Sequence, residues 1–312
     1  MGVRRAVEMT AAAIFTAAEN ASGVTPLIYT LGPLIHNPQV LASLAERGVK
    51  ILEDEELFTC SKKTLTGIPV IIRAHGVSPV VEQMLREQGA NIIDATCPRV
   101  KASQNEALEL AEKGYVVFLA GEKDHAEIKG LYGYVMVGAA KSAGNQKKSV
   151  FQKTSCVIIG GPCEAKQRAR ELKNAAAGLK NFPVKTALIG QTTISKDEYL
   201  AVADAIKGYF PQLEVKKTIC SATRERQDAL RDLCDNVDAV IIAGGKESAN
   251  TRRLFAIAKK CGKPAWLVES AAELPEVVTD PPLLIQNNKT IGLSAGASTP
   301  DSVIDEIEQA LV

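Results

Sequence analysis

The residues able to do chemistry fall in few places along this chain. There are only three His, and His36, His75 and His125 each follow a short apolar, β-branched run. Four residues after Gly121 stands His125, and six after it Glu127. The same two steps from Gly244 reach Ser248 and Asn250, and from Gly32 they reach His36 and Pro38. In a second series, His75, Thr192 and Ser298 each lie three residues before a Ser or Asp (Ser78, Ser195, Asp301) that opens a helical pattern. Such a residue is expected to cap the helix N-terminus, and Pro79 suits the first helical position. Polar side chains at strand ends, beside helix N-termini whose N–H groups face an anion, make a phosphate or diphosphate cage that needs no Lys cluster.

The seven Cys are an odd number in a chain too long to need disulfide staples. A reducing compartment with thiols free for metal is the better reading. Laying Cys97 on Cys220 brings Val117-Phe118-Leu119-Ala120-Gly121 onto Val240-Ile241-Ile242-Ala243-Gly244 without a gap. Each copy runs Cys, helix, strand, Gly. The same alignment sets Val100 and Lys101 beside Thr223 and Arg224, and matches Val3-Arg4 at the start, so the first copy's cysteine is expected immediately before Met1, together with a strand. Cys60, Cys156, Cys163, Cys234 and Cys261 lack that position, and packing is the default for Cys234, on a helix.

The elements that must position these groups alternate. Apolar runs at Leu27–Tyr29, Pro69–Ile72, Val116–Leu119, Val157–Ile159, Thr186–Ile189, Ala239–Ile242 and Ile291–Leu293 read as strands, with helical patterns between most of them. That order implies α/β architecture with parallel sheets buried on both faces. Lys141–Lys153 reads as a surface loop or linker. Three α/β units related by a pseudo-threefold are expected, at 1–96, 97–219 and 220–312, aiming their strand-end loops at one centre.

Composition narrows the class. Of 312 residues 46% are apolar and 23% charged, and 37 basic against 36 acidic side chains leave a net charge of +1. No basic excess marks a nucleic-acid binder. No apolar run approaches the roughly 18 residues a membrane span needs, and no signal-peptide core is present, so a cytoplasmic protein without nucleic-acid or membrane partners is expected. Gly244-Gly245-Lys246 lacks the full phosphate-loop pattern. Zinc on Cys97, Cys220 and two His is a rival, but short paired ligand spacing is missing. Arg4, Arg5, Arg224 and Arg226 suit helix surfaces or an acidic partner better than catalysis.

The chain resembles the 4-hydroxy-3-methylbut-2-enyl diphosphate reductase family (LytB/IspH) over essentially its whole length. The motifs are Gly-Val-Arg-Arg-Ala-Val at 2–7, His36-Asn37, Ala74-His75-Gly76-Val77-Ser78, Asp94-Ala95-Thr96-Cys97-Pro98, His125-Ala126-Glu127, Gln191-Thr192-Thr193-Ile194-Ser195, Cys220, Ser248-Ala249-Asn250 and Ser294-Ala295-Gly296-Ala297-Ser298. The resemblance implies a trefoil of three α/β domains around a [4Fe-4S] cluster on three cysteines. Two of those are Cys97 and Cys220, and the third belongs to a Phe-Cys-x-Gly-Val motif of which Gly2-Val3 stand here. It implies a two-electron reductive loss of hydroxyl from (E)-4-hydroxy-3-methylbut-2-enyl diphosphate, the last step of the methylerythritol phosphate route to isoprenoids. The products are isopentenyl and dimethylallyl diphosphate, with ferredoxin or flavodoxin as electron donor. It implies Glu127 as proton donor, and His36, His75, His125, Thr192, Ser248, Ala249, Asn250 and Ser298 as substrate ligands. Ala126 departs from the proline many members carry. A cluster-less, non-catalytic diphosphate-binding relative is the alternative. A monomer is expected.

Overall fold

A computed structural model describes residues 2–20, 27–35, 37–53, 56–57, 64–143, 155–176, 184–275 and 290–311. In chain order the elements are α1 (Gly2–Asn20), β1 (Ile28–Leu31), α2 (Pro38–Glu46), β2 (Val49–Leu52), β3 (Pro69–Ile72), α3 (Pro79–Glu87), β4 (Asn91–Asp94), α4 (Pro98–Glu112), β5 (Val116–Ala120) and α5 (Ala126–Ala143). There follow β6 (Cys156–Ile159), α6 (Pro162–Ala176), β7 (Thr186–Gly190), α7 (Lys196–Lys207), β8 (Glu214–Val215), α8 (Ser221–Asn236), β9 (Ala239–Ala243), α9 (Ala249–Lys260), β10 (Ala265–Val268), a 3-10 turn (Ala271–Glu273), β11 (Ile291–Ala295) and α10 (Asp301–Leu311).

The strands form three sheets, ordered β2-β1-β3-β4, β6-β5-β7-β8 and β10-β9-β11. One topology is thus used three times, with the second strand of each set outside the first and the third on its other side. The central pairs β1–β3, β5–β7 and β9–β11 are all parallel, in the registers Tyr29↔Val70, Val116↔Thr186 and Ala239↔Ile291. Parallel neighbours end on one edge of their sheet, so the loops carrying the polar residues leave each sheet on a common side. The three sheets draw on residues 28–94, 116–215 and 239–295. By packing the chain divides into two compact units, Met1–Gly32 with Lys50–Ile219 and Pro33–Val49 with Cys220–Val312. The finer division at 1–96, 97–219 and 220–312 stands as a proposal about repeat units.

All seven sequence-read strands are present. Four more, β2, β4, β8 and β10, lie at sheet edges and are short, with mixed burial. Lys50 in β2, Asn91 and Asp94 in β4 and Glu214 in β8 interrupt the apolar run, whereas β10, Ala265-Trp266-Leu267-Val268, is an apolar run that the sequence reading passed over. The expected loop at Lys141–Lys153 is corrected at its start: α5 runs to Ala143, because its apolar face continues to Ala139, and 144–154 lie outside the described residues. Asp301 is the first residue of α10, in its opening turn, whereas Ser78 and Ser195 are true caps, accepting from Val81 N and Glu198 N. No described helix is long and apolar enough to cross a membrane.

The middle sheet shows why its strands read as unbroken apolar runs. All five residues of β5 are buried, and they alternate between two cores. Phe118 packs with Leu188, Tyr199 and Ala169, while Val117 and Leu119 pack with Leu110, Leu131 and Ile189. Helices therefore cover both faces, and no residue of the strand can be polar without a buried partner. The buried Tyr199 hydroxyl lies 2.8 Å from the carbonyl oxygens of Leu188 and Lys216. Beside it, Thr218 Oγ1 accepts from Gly190 N at 2.9 Å, holding the end of β7. Tyr199→Phe keeps the ring in the core and removes the hydroxyl, and should destabilise the chain by about 1–2 kcal/mol. Chemical denaturation checks this, and an unchanged midpoint would show that the hydroxyl contributes nothing.

Candidate active site

In the larger unit, the strand-end loops after β3, β5 and β7 bring His75, His125, Glu127 and Thr192 into one hydrogen-bonded and ring-packed group. Glu127 opens α5 and is 1% exposed. Its carboxylate accepts from Thr192 N at 2.7 Å and from Thr192 Oγ1 at 2.9 Å. A buried carboxylate without donors is prohibitively costly, so this two-point attachment is what allows it there. The Glu127 N–H donates to His125 Nδ1 at 3.2 Å. That bond assigns the neutral imidazole's proton to Nε2, leaving the far nitrogen as a donor. The His125 ring meets that of His75 edge-on, with centroids 5.0 Å apart.

Two features hold this geometry that the sequence reading did not assign. Gln191 is fully buried and latches two strand ends. Its N–H donates to Ala120 O at 2.7 Å, its Oε1 accepts from Glu122 N at 3.0 Å, and its Nε2 donates to Thr193 Oγ1 at 3.1 Å. Gly121 must be glycine for this latch, since a Cβ there would lie 2.6 Å from Gln191 Oε1. The shared strand-end offset pointed to the latched residues, but a buried amide leaves no local pattern.

The second feature surrounds Cys97, the residue preceding α4. Its thiol makes no capping bond, and its N–H donates to Ala74 O at 2.9 Å, tying it to the His75 loop. Asp94 Oδ1 accepts from Thr96 N at 2.9 Å, Asp94 Oδ2 meets Lys101 Nζ at 3.2 Å, and Arg5 donates to Thr96 O at 3.0 Å. The first turn of α1 lies directly on the thiol, where a Cβ on Gly2 would stand 2.7 Å from Cys97 Sγ. Arg5 thus serves an internal contact.

The second unit is built alike. Cys220 precedes α8 and also makes no capping bond. Ser248 caps α9, accepting from Thr251 N at 3.4 Å, and Ala249 is the first residue of that helix. Asn250 is buried, and among the described residues neither its Oδ1 nor its Nδ2 has a hydrogen-bond partner. An amide so placed is suited to a polar ligand, whose oxygens would supply what the protein does not. Ser298 is half-buried, one residue before Thr299, whose hydroxyl donates to Ala243 O at 3.0 Å. His36 lies outside the described residues.

Gly244-Gly245-Lys246 is no phosphate loop. Lys246 N donates to the carboxylate of Glu269 at 2.9 Å, and its ammonium pairs with Glu273 at 2.8 Å, so acidic groups occupy the position an anion would need. Among the remaining thiols, Cys163 and Cys261 are exposed. Burial pushes the Cys156 thiol up to about 12, and burial with Cys261 beside it pushes Cys234 up to about 11. Cys234 packs with Leu230 and Val237 in the helix core, and Cys60 lies outside the described residues. Among the described residues no group of three His, Cys, Asp or Glu is placed to hold a metal ion.

Residues 1–312 match a family model described as LytB protein. The chain is 41% identical over 300 residues to the 4-hydroxy-3-methylbut-2-enyl diphosphate reductase of Treponema pallidum subsp. pallidum, covering 91% of this chain and 75% of that one. It is 40% identical over 311 residues to the protein of the same name from Treponema denticola, covering 100% and 95%. Among solved structures, the E-1-hydroxy-2-methyl-but-2-enyl-4-diphosphate reductase from Plasmodium falciparum superposes with a TM-score of 0.76 at 26% identity, covering 99% of this chain and 83% of that one.

The Asp94–Lys101 pair gives a pH signature. Burial pushes the Asp94 carboxyl up, but the Thr96 hydrogen bonds and Lys101 outweigh it and hold the carboxyl below its usual 3.8. Burial pushes Lys101 down, but Asp94 outweighs it and holds the ammonium above its usual 10.5. The carboxylate's contribution is complete above 3.8 and lost as pH falls through the lowered value. The ammonium's is complete below 10.5 and lost as pH rises through the raised one. Asp94→Asn should therefore lower stability at pH 7, with a deficit that shrinks as pH falls below 3.8 and vanishes only below the lowered folded-state value. A deficit independent of pH in denaturant titrations would contradict the assignment.

Proposed function

Because the chain belongs to the LytB family, we propose that it reduces (E)-4-hydroxy-3-methylbut-2-enyl diphosphate to isopentenyl and dimethylallyl diphosphate, the last step of the methylerythritol phosphate route. The C–O bond to the hydroxyl breaks, two electrons and two protons enter, and water leaves. One proton goes to the departing oxygen and the other to carbon. The observation that carries this reading is the buried Glu127 carboxylate on the Thr192 N–H and hydroxyl, beside the His125–His75 pair. Glu127 holds the proton to be delivered. Once Glu127 is protonated in the substrate complex, the Thr192 hydroxyl turns to accept from the carboxylic acid and passes its own proton on.

His36, His75, His125, Thr192, Ser248, Ala249, Asn250 and Ser298 hold the substrate's diphosphate and hydroxyl in this reading. The unpartnered Asn250 amide supports a polar ligand there, and neutral donors at helix N-termini suit a diphosphate. Cys97 and Cys220 would hold a [4Fe-4S] cluster, which would supply the two electrons from ferredoxin or flavodoxin, in the cytoplasm. Cys97 and Cys220 have the donor chemistry for it, but the described residues supply no third ligand and do not make a complete cluster site. The third thiolate rests on the repeat alignment and on the resemblance.

Two measurements test the reading. Anaerobic reconstitution should load iron and acid-labile sulfide. Diphosphate binding without iron would favour the cluster-less relative, and one zinc per chain without iron would overturn both. In the loaded protein, Glu127→Gln keeps the fold, because the Thr192 hydroxyl can turn to accept from the new amide. It should bind inorganic diphosphate normally and lose turnover by about 10²-fold or more. Unchanged turnover removes Glu127 from the proton path.

A further inference from the structure

We propose that Gln104 is a positioning residue for His75, a role that rests on reading His75 as a diphosphate ligand. Gln104 lies seven residues into the chain from Cys97, on α4, and is 1% exposed. Its Nε2 donates to Val77 O at 3.4 Å, beneath the turn His75-Gly76-Val77. That turn needs glycine twice over: Gly76 has φ +68, and a Cβ there would stand 2.4 Å from Gln104 Nε2. A Cβ on Gly130, from α5, would stand 3.4 Å from the same nitrogen, so this helix also closes on the amide. The carboxamide is therefore the floor on which the His75 turn rests, enclosed by the helix that carries Glu127 and reached from the helix that starts beside Cys97.

The amide's orientation is set. Turned over, it would oppose Oε1 to the Val77 carbonyl, two acceptors with no proton between them. In the observed orientation Oε1 is buried, and among the described residues it has no hydrogen-bond partner. A buried carbonyl oxygen without a donor is a net cost to stability. Leucine would occupy similar space without it. A residue serving only to fill the core has no use for that amide, whereas one that must hold the Val77 carbonyl, and through it the direction of the His75 ring, does.

The test uses the full chain, inorganic diphosphate as probe in calorimetry, and the His75 imidazole resonances in NMR. Gln104→Leu should melt near the wild type, because losing the unpaired Oε1 offsets the lost Val77 bond, should shift the His75 resonances, and should weaken diphosphate binding about 5- to 10-fold. Gln104→Glu, which sets an oxygen against the Val77 carbonyl, should weaken it at least as much, and serves if the leucine variant fails to fold. A folded variant whose His75 resonances superimpose on those of the wild type overturns the inference, as does a lower melting point with unchanged affinity. His75→Ala separates the two layers. If it leaves affinity unchanged, the reading of His75 as a ligand is wrong, and the resonances alone decide on Gln104. If it weakens binding while Gln104→Leu does not, the ligand reading stands and Gln104 is structural.

Discussion

The carboxylate of Glu127 is buried with 1% exposure, and the two donors of Thr192 hold it there. Removing such a group from water is tolerated only where hydrogen bonds replace its hydration. Much of the local architecture answers that demand. Thr192 stands two residues beyond β7 and Glu127 opens the helix after β5, so the bond exists only while β5 and β7 pair in their observed register. Gln191 secures that register at its last step, bonding Ala120, Glu122 and Thr193 at once. The glycine at 121 lets the amide pass.

A parallel sheet makes this arrangement repeatable. Strands that run the same way end together, and the turn after each leads into a helix whose first N–H groups are unpaired. The chain uses that edge three times with one strand order. What differs is the side chain delivered. After the first strand of a set come His125 with Glu127 in one case and Ser248 with Asn250 in another; after the third come His75, Thr192 and Ser298. Two cysteines, each opening a helix without capping it, complete the pattern. The fold supplies the positions, and the residues standing at them are a carboxylic acid, imidazoles and neutral hydrogen-bonding side chains.

The parts legible in the sequence were those with local signatures. Central strands such as Val116–Ala120 are buried on both faces and read as apolar runs, and Ser78 and Ser195 announce their helices by capping them. The strand-end offset reached Glu127 and Asn250, and the second series reached Thr192, because a repeated topology repeats its spacing. The edge strand Asn91–Asp94 escaped notice because polar residues at both its ends leave an apolar run of only two residues. The residues that hold the site rigid escaped for another reason. Gln191 and Gln104 bond groups distant in sequence, so their roles leave no local pattern, and Asp94 stood in a quoted motif without its bonds to Thr96 and Lys101 being assigned. His36 lies outside the described residues.

The account turns on Glu127 carrying a proton when substrate is bound. Infrared difference spectra between substrate-bound and free protein, taken in H2O and in D2O, read this directly. The account expects a carboxylic acid C=O band in the bound state that moves to lower frequency in D2O and is missing from Glu127→Gln. A bound state with no such band, Glu127 remaining a carboxylate throughout, would contradict it.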